Sequence, residues 1–412
     1  MFSVHQHWDP LQVCAVGRSY PPEFYDYIEN PRVRSILERI AIETEEDYQK
    51  LIKILKSFNV KIVRNDISEN REDHFWAEHY SPPPMTPRDH TAMIGEKFYM
   101  PGAEFGYNIF DDMLDYEEEF STLQSIKKLT SREKIVFHKK LQNTLEKKDI
   151  PERKRYLSKV ESIIRSINHN PLTTFPNNKK FNTFGSIEKF LKDHNTEIIY
   201  DKYINNSTIT RVGKDLYIGV KINDIETSSF KEYLRKINQY FSSGKYRIHI
   251  VDVRTHGSDV FIPIKPGLII GLNGVENYNK TFPDWEVVYL PGQKWDKVKQ
   301  FQDLKKKNKG KWWVPGEELD DDFVDFIESW LKHWVIYAEE NIFDANMLII
   351  NPTNVIVNNY NKNVFDAFDR HGITAHICNF RHRYFWDGGL HCITSDLSRE
   401  GTRKNYFPER NI

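Results

Sequence analysis

The chain has little cysteine. Cys14, Cys378 and Cys392 are the three in 412 residues. An odd, sparse set excludes a disulfide framework and fits a reducing compartment. Charge of one sign is lacking as well. Lys and Arg number 58 against 59 Asp and Glu, a net charge of −1. A protein that coats nucleic acid needs a clear basic excess, so that class is excluded. Long apolar runs are missing too. Stretches such as Pro266 to Leu272 fall far short of the about 18 residues that span a bilayer. The opening Met1-Phe2-Ser3-Val4-His5-Gln6-His7 has no basic start and no apolar core, so no secretory signal is read in it. The expectation is a soluble, cytoplasmic protein with no membrane and no nucleic-acid partner. What is abundant is apolar and aromatic mass, at 39% and 14% of residues. That is enough for a sizeable core and too much for a disordered chain.

The pattern of that apolar mass points to an α/β class. Leu11 to Gly17 reads as a strand closed by glycine. Pro31 to Phe58 reads as a helix, with Leu37, Ile40, Ala41, Tyr48, Leu51, Ile52 and Leu55 on one face. Val60 to Val63 then alternates like a strand, completing strand–helix–strand. Short strands recur downstream: Glu197 to Tyr200, Asp215 to Val220, Arg247 to Val251, Gly267 to Gly271, Trp285 to Tyr289, Met347 to Ile350, Asn354 to Val357 and Thr374 to Cys378. Helices are expected between them, at Ser229 to Phe241 and Phe323 to Trp334. The charged stretch at about 110–171 reads as a helical insertion within one domain of residues 1–412.

Chemistry concentrates near the C-terminus. Gly388-Gly389-Leu390-His391-Cys392 puts a thiol just after a turn that glycine makes possible. A cysteine at such a turn, with histidines elsewhere in the chain, is a candidate nucleophile. A thiolate also needs an imidazole to give or take a proton, and His256, at the end of a strand, is the candidate. Metal binding is a poor fit. His371, His376, Cys378, His382, His391 and Cys392 crowd together without Cys-x-x-Cys or His-x-x-x-His spacing. There is no Gly-rich phosphate loop, so no cofactor is expected.

Four stretches resemble the amidinotransferases of the guanidino-group-modifying superfamily, in the right order along nearly the whole chain. They are Trp8-Asp9-Pro10-Leu11 with Val16-Gly17-Arg18; Pro87-Arg88-Asp89; Tyr246 to Val251 followed by His256 and Pro266-Gly267; and Gly388 to Thr394. The resemblance implies a five-bladed pseudo-symmetric α/β propeller of the pentein type. It implies that Cys392 attacks a guanidino carbon, that His256 shuttles the proton, and that Asp89, beside Arg88 and His391, meets the substrate. The partners would be a guanidino donor and an amine acceptor; a homodimer is left open. The chain departs from the pattern at four places, one being Asn273-Gly274-Val275-Glu276, where the family's arginine for the donor carboxylate has no counterpart. Thr208 stands where the family has Asp. The family's His-x-Asp becomes His256-Gly257-Ser258, with the acid moved to Asp259. A pair of serines becomes Glu339-Glu340. Hydrolysis of a guanidino compound and non-catalytic binding on the same fold are the alternatives to amidino transfer.

Overall fold

The computed structural model describes residues 2–76, 79–80, 82–101, 181–201, 203–220, 228–241, 245–252, 260–272, 277–290, 314, 316–317, 320–327, 331, 342–386 and 388–410. The chain divides into two compact units. The larger comprises Met1–Glu69, Ser81–Tyr107 and Phe181–Ile412. The smaller comprises Asn70–Tyr80 and Asn108–Lys180; its described part is the turn Arg71–His74 and the antiparallel pair β3 (Phe75–Trp76) and β4 (His79–Tyr80). The expected helical insertion lies outside the described residues.

The larger unit repeats one device. Among the described residues it has five three-stranded sheets. In each, a central strand pairs antiparallel with one neighbour and parallel with the other. The central strand β1 (Leu11–Val16) lies between β17 (Thr394–Arg399) and the parallel β2 (Lys61–Arg64). The second sheet is β5 (Ala92–Ile94), β6 (Lys97–Met100) and β7 (Glu197–Tyr200). The third is β8 (Ile209–Val212), β9 (Asp215–Val220) and β10 (Arg247–Asp252). The fourth is β11 (Phe261–Lys265), β12 (Leu268–Leu272) and β13 (Glu286–Leu290). The fifth is β14 (Leu348–Asn351), β15 (Asn354–Val357) and β16 (Thr374–Ile377). A parallel pair cannot be joined by a tight turn, so a crossover is required. Helices fill these crossovers: α1 (Pro31–Ser57) between β1 and β2, α3 (Gly185–Asp193) before β7, α4 (Ser228–Phe241) before β10, and α6 (Lys362–Arg370) before β16. Short helices lie elsewhere, among them α2 (Pro87–His90) and α5 (Ile342–Ala345).

Local chemistry explains α1. Asn30 caps it, accepting from Arg32 N at 3.0 Å and Val33 N at 3.2 Å. Pro31 occupies the first turn, where its missing N–H costs nothing. Val33, Ile36, Leu37, Ile40, Tyr48, Leu51 and Leu55 are buried at helical spacing. Each contributes about 1.5–3 kcal/mol on burial. The chain leaves the helix through Asn59 at φ 61°, a left-handed position that asparagine tolerates.

The sequence expectations for strands hold with small shifts. Gly267 has φ 89° and forms the turn rather than starting β12. Asp284, at φ 65°, delays β13 past Trp285. The expected Phe323–Trp334 helix is seen as Asp321–Phe326, with most of its remainder outside the described residues. Cys14 and Cys378 are buried.

Candidate active site

The candidate nucleophile is anchored before it is reached. The segment ahead of it is bound to one face of α1. Arg381 N–H and Nε donate to the buried Asp47 carboxylate at 2.8 and 3.0 Å. His382 Nε2 lies 2.6 Å from Glu43 Oε2, and Trp386 Nε1 donates to Thr44 Oγ1 at 2.9 Å. Gly388 then packs on Thr86, the cap of α2; a Cβ there would lie 3.1 Å from Thr86 Cγ2. Residues 390–393 form a turn, closed by Ile393 N–H to Gly389 O at 3.0 Å and Thr394 N–H to His391 O at 3.2 Å. Cys392 sits on this turn, 5% exposed. His391 and Cys392 are thus turn residues, and β17 begins at Thr394. Gly17 N–H donates to Ile393 O at 2.9 Å. That approach needs glycine at position 17, because a Cβ would fall 1.8 Å from Met85 O.

Asn346 touches the same turn, and the sequence reading passed over it. It follows α5 and is 1% exposed. Its Oδ1 accepts from His391 N at 2.8 Å and from Cys392 N at 3.3 Å. Its Nδ2 is 2.9 Å from Cys392 Sγ. A polar residue inside the otherwise apolar run from Phe343 to Ile350 was the available signal, interrupted only by Asp344.

Arg88 joins α2 to the nucleophile turn. It is fully buried. Its Nε donates to His391 O at 2.7 Å and Thr394 O at 3.0 Å, and its Nη2 to Asp396 Oδ1 at 3.0 Å. The next residue, Asp89, is half-buried. Arg88 O in turn accepts from Asn206 N at 3.1 Å, and Asn206 Nδ2 donates to Ser395 Oγ at 3.2 Å. Thr208, at the end of this loop, is half-buried; its Oγ1 donates to Asn205 Oδ1 at 3.1 Å and accepts from Tyr233 at 3.0 Å. Arg88 is therefore bonded directly to the His391-Cys392 turn and to Asn206, two residues ahead of Thr208. His256, Ser258, Asp259, Glu339 and Glu340 lie outside the described residues.

Beneath the turn, Asp396 takes three guanidiniums. Arg211 Nη2 reaches Oδ2 at 2.8 Å, Arg399 Nε reaches Oδ2 at 2.8 Å, and Arg88 reaches Oδ1 at 3.0 Å. Burial alone would raise its carboxyl, but Arg211, Arg399 and Arg88 together hold it well below the usual carboxylate range. Burial, helped by Arg88 and His7, keeps His391 neutral, far below an ordinary imidazole. His7 behaves alike, through burial and Arg211. Neither suits the role of a base that gains and loses a proton near neutral pH. Burial pushes the Cys14 thiol up to about 12 and the Cys378 thiol up to about 11. Both are poor nucleophiles, because the thiolate is the reactive form. Among the described residues, no group of three or more His, Cys, Asp or Glu is arranged to hold a metal ion, and no helix is long and apolar enough to cross a membrane.

No protein-family model matches the chain. It is 23% identical over 207 residues to the mitochondrial glycine amidinotransferase of Gallus gallus, covering 48% of this chain and 39% of that protein. It is 20% identical over 213 residues to the L-arginine:L-lysine amidinotransferase of Pseudomonas savastanoi pv. phaseolicola, covering 50% and 48%. The matched segments thus span less than half the length of these curated relatives. Its fold matches an amidinotransferase of the saxitoxin biosynthetic pathway from Microseira wollei, with TM-score 0.56, 14% identity and coverage of 98% and 99%. It also matches the inosamine-phosphate amidinotransferase of Streptomyces griseus, with TM-score 0.54, 15% identity and coverage of 98% and 99%. Its repeated small sheets and helices resemble the architecture of these two amidinotransferases. Part of the chain is thus similar in sequence to a glycine and an L-arginine:L-lysine amidinotransferase.

Proposed function

We propose that the chain is an enzyme that moves an amidino group from a guanidino donor, arginine or a related guanidine, to an amine acceptor, through a covalent intermediate on Cys392. The observation that carries this reading is a convergence on one turn. The Cys392 thiol stands on it, and Arg88 ties to it the helix that bears Asp89.

The chemistry follows from the donor. A guanidinium is a planar cation, so a carboxylate in its plane can hold it by two hydrogen bonds; Asp89 takes that role. Its carbon is a weak electrophile, so it needs a thiolate and a protonated leaving group. Cys392 Sγ bonds to that carbon, the C–N bond to the donor amine breaks, and His256 supplies the proton that leaves with the amine. The acceptor amine then attacks the amidino carbon and gives its proton to His256. The S–C bond breaks and the thiolate returns. Thr208, Ser258, Asp259, Glu339 and Glu340 complete the substrate contacts, the two glutamates standing in for the acids absent at 208 and 258. The five sheets are read as blades of one closed propeller, with about 110–171 as an insertion in the crossover from β6 to β7. Guanidino hydrolysis remains the competing reaction.

Intact-mass measurement after incubation with arginine and other guanidines tests this. The expected result is a gain of one amidino group that is absent in Cys392→Ala. Failure of every guanidine to label the wild-type protein would refute it. Product analysis then separates transfer, which gives an amidinated amine, from hydrolysis, which gives citrulline or ammonia.

A further inference from the structure

We infer that Asn346 is a positioning residue that selects and aims the thiolate of Cys392, an inference that rests on Cys392 being the nucleophile. The argument begins with which end of the amide faces which partner. Oxygen and nitrogen of an asparagine amide are told apart by their hydrogen bonds. Here two main-chain N–H groups, of His391 and Cys392, point at one end of the amide at 2.8 and 3.3 Å. Both can only donate, so that end must be the oxygen. The other end is then NH2, which can only donate, and it lies 2.9 Å from Cys392 Sγ. A thiolate accepts such a bond far better than a thiol, because a hydrogen bond to the charged form stabilises that form.

The main chain of Asn346 is itself held in place. Asn358 Nδ2 donates to Asn346 O at 2.7 Å, and both asparagines are 1% exposed. Asn358 directly follows β15, so the fifth sheet supports the donor while the turn ahead of β17 carries the acceptor. Among the described residues, the charged and titratable groups around this turn are Arg88, Arg211, Arg399 and Asp396 beneath it, with His391 and His7 beside it. The three guanidiniums outnumber the one carboxylate, which also favours an anion at the turn. They act at long range, whereas Asn346 bonds directly to the sulfur.

The test is the pH dependence of alkylation by iodoacetamide, read separately for each cysteine by peptide mass spectrometry. Cys14 and Cys378 serve as internal references. Asn346→Asp keeps the size and the acceptor for the two main-chain N–H groups, but replaces the donor with an anion. The pH of half-maximal Cys392 alkylation is expected to rise by about one unit or more. Asn346→Ser, smaller and neutral, is expected to shift it in the same direction by less. A merely structural role would change unfolding midpoints and leave that pH in place. An unmoved Cys392 profile in either folded variant overturns the inference and leaves the nucleophile reading standing. Wild-type Cys392 reacting no faster than Cys14 at neutral pH overturns both.

Discussion

At the scale of single residues, the chemistry that was legible is the chemistry carried by neighbours in sequence. Gly388-Gly389 followed by Cys392 could be picked out as a local turn with a thiol, and Pro87-Arg88-Asp89 as a short contiguous match to the family's pattern. Asp396, Arg211, Arg399 and Asn346 could not, because each acquires its role from partners far along the chain. Arg88 and Asp396, for example, are separated by 308 positions. Those buried charges set an expectation for acid. His7 and His391 are held neutral in the fold by burial and the nearby guanidiniums. In the unfolded chain they titrate near 6.5 (roughly the unperturbed imidazole value). Above that pH both states carry neutral imidazole and no penalty arises. Below it the unfolded chain binds protons that the fold refuses, so stability falls. Asp396, with its carboxyl depressed, adds its own loss only once the pH drops below about 3.9. Urea midpoints are therefore expected to stay level from pH 8 to 7 and to fall from 6.5 to 5. His7→Gln should flatten part of that fall. A wild-type midpoint that does not change between pH 6.5 and 5 would contradict the assignment.

At the scale of elements, strands with apolar alternation or a continuous apolar run could be read, and polar ones could not. β17 reads Thr394-Ser395-Asp396-Leu397-Ser398-Arg399, which looks like a loop, yet all six residues are buried. Its polar groups are paired inside the protein, by Arg88, Arg211 and Gln12 among others, so burial costs little. The short β5 and β6 were missed for a different reason, since three or four residues give too little pattern to separate strand from loop. α1 shows why an element far from the thiol matters. Its buried Asp47 holds Arg381 by both the main-chain N–H and the guanidinium. Asp47→Ala removes both bonds and leaves the Arg381 amide unpaired. Because Arg381 remains partly exposed to water, the loss is at the level of hydrogen bonds, about 1–3 kcal/mol. Denaturant unfolding should show that loss, and turnover should drop further than stability explains because the segment leading to Cys392 is no longer fixed. Unchanged turnover in the folded variant would mean that this anchoring does not reach the thiol.

At the scale of the larger unit, the repeated sheet carries a gradient that one experiment can read. In each sheet the antiparallel partner is buried throughout or nearly so: β5, β8, β11, β14 and β17. The parallel partner is half exposed, as in β2, β7 and β16. The reason lies in the connections. The buried strands meet around shared polar partners: Arg399 of β17 donates to Ile349 O of β14 at 2.9 Å, and Arg211 of β8 bonds both Asp396 of β17 and Met93 O of β5. Asp396 therefore lies in a polar network that ties together strands from four different sheets. The parallel strands each pair with one strand and are otherwise covered by helices, as β2 is by α1 and α3. Removing a shared charged partner in a buried network costs more than opening an edge, about 3–5 kcal/mol against a fraction of that. Local opening should follow the same ranking. In native-state hydrogen exchange, amides of β8, β14 and β17 are expected to exchange only through global unfolding, with protection matching the full stability. Amides of β2, β7 and β16 should exchange through smaller openings, with weaker dependence on denaturant. In Asp396→Asn the two classes should draw together, because the partner that holds the buried strands to one another has lost its charge. Protection that is uniform across each sheet in the wild type would show that the sheets open as whole units and that the Asp396 network does not rank them.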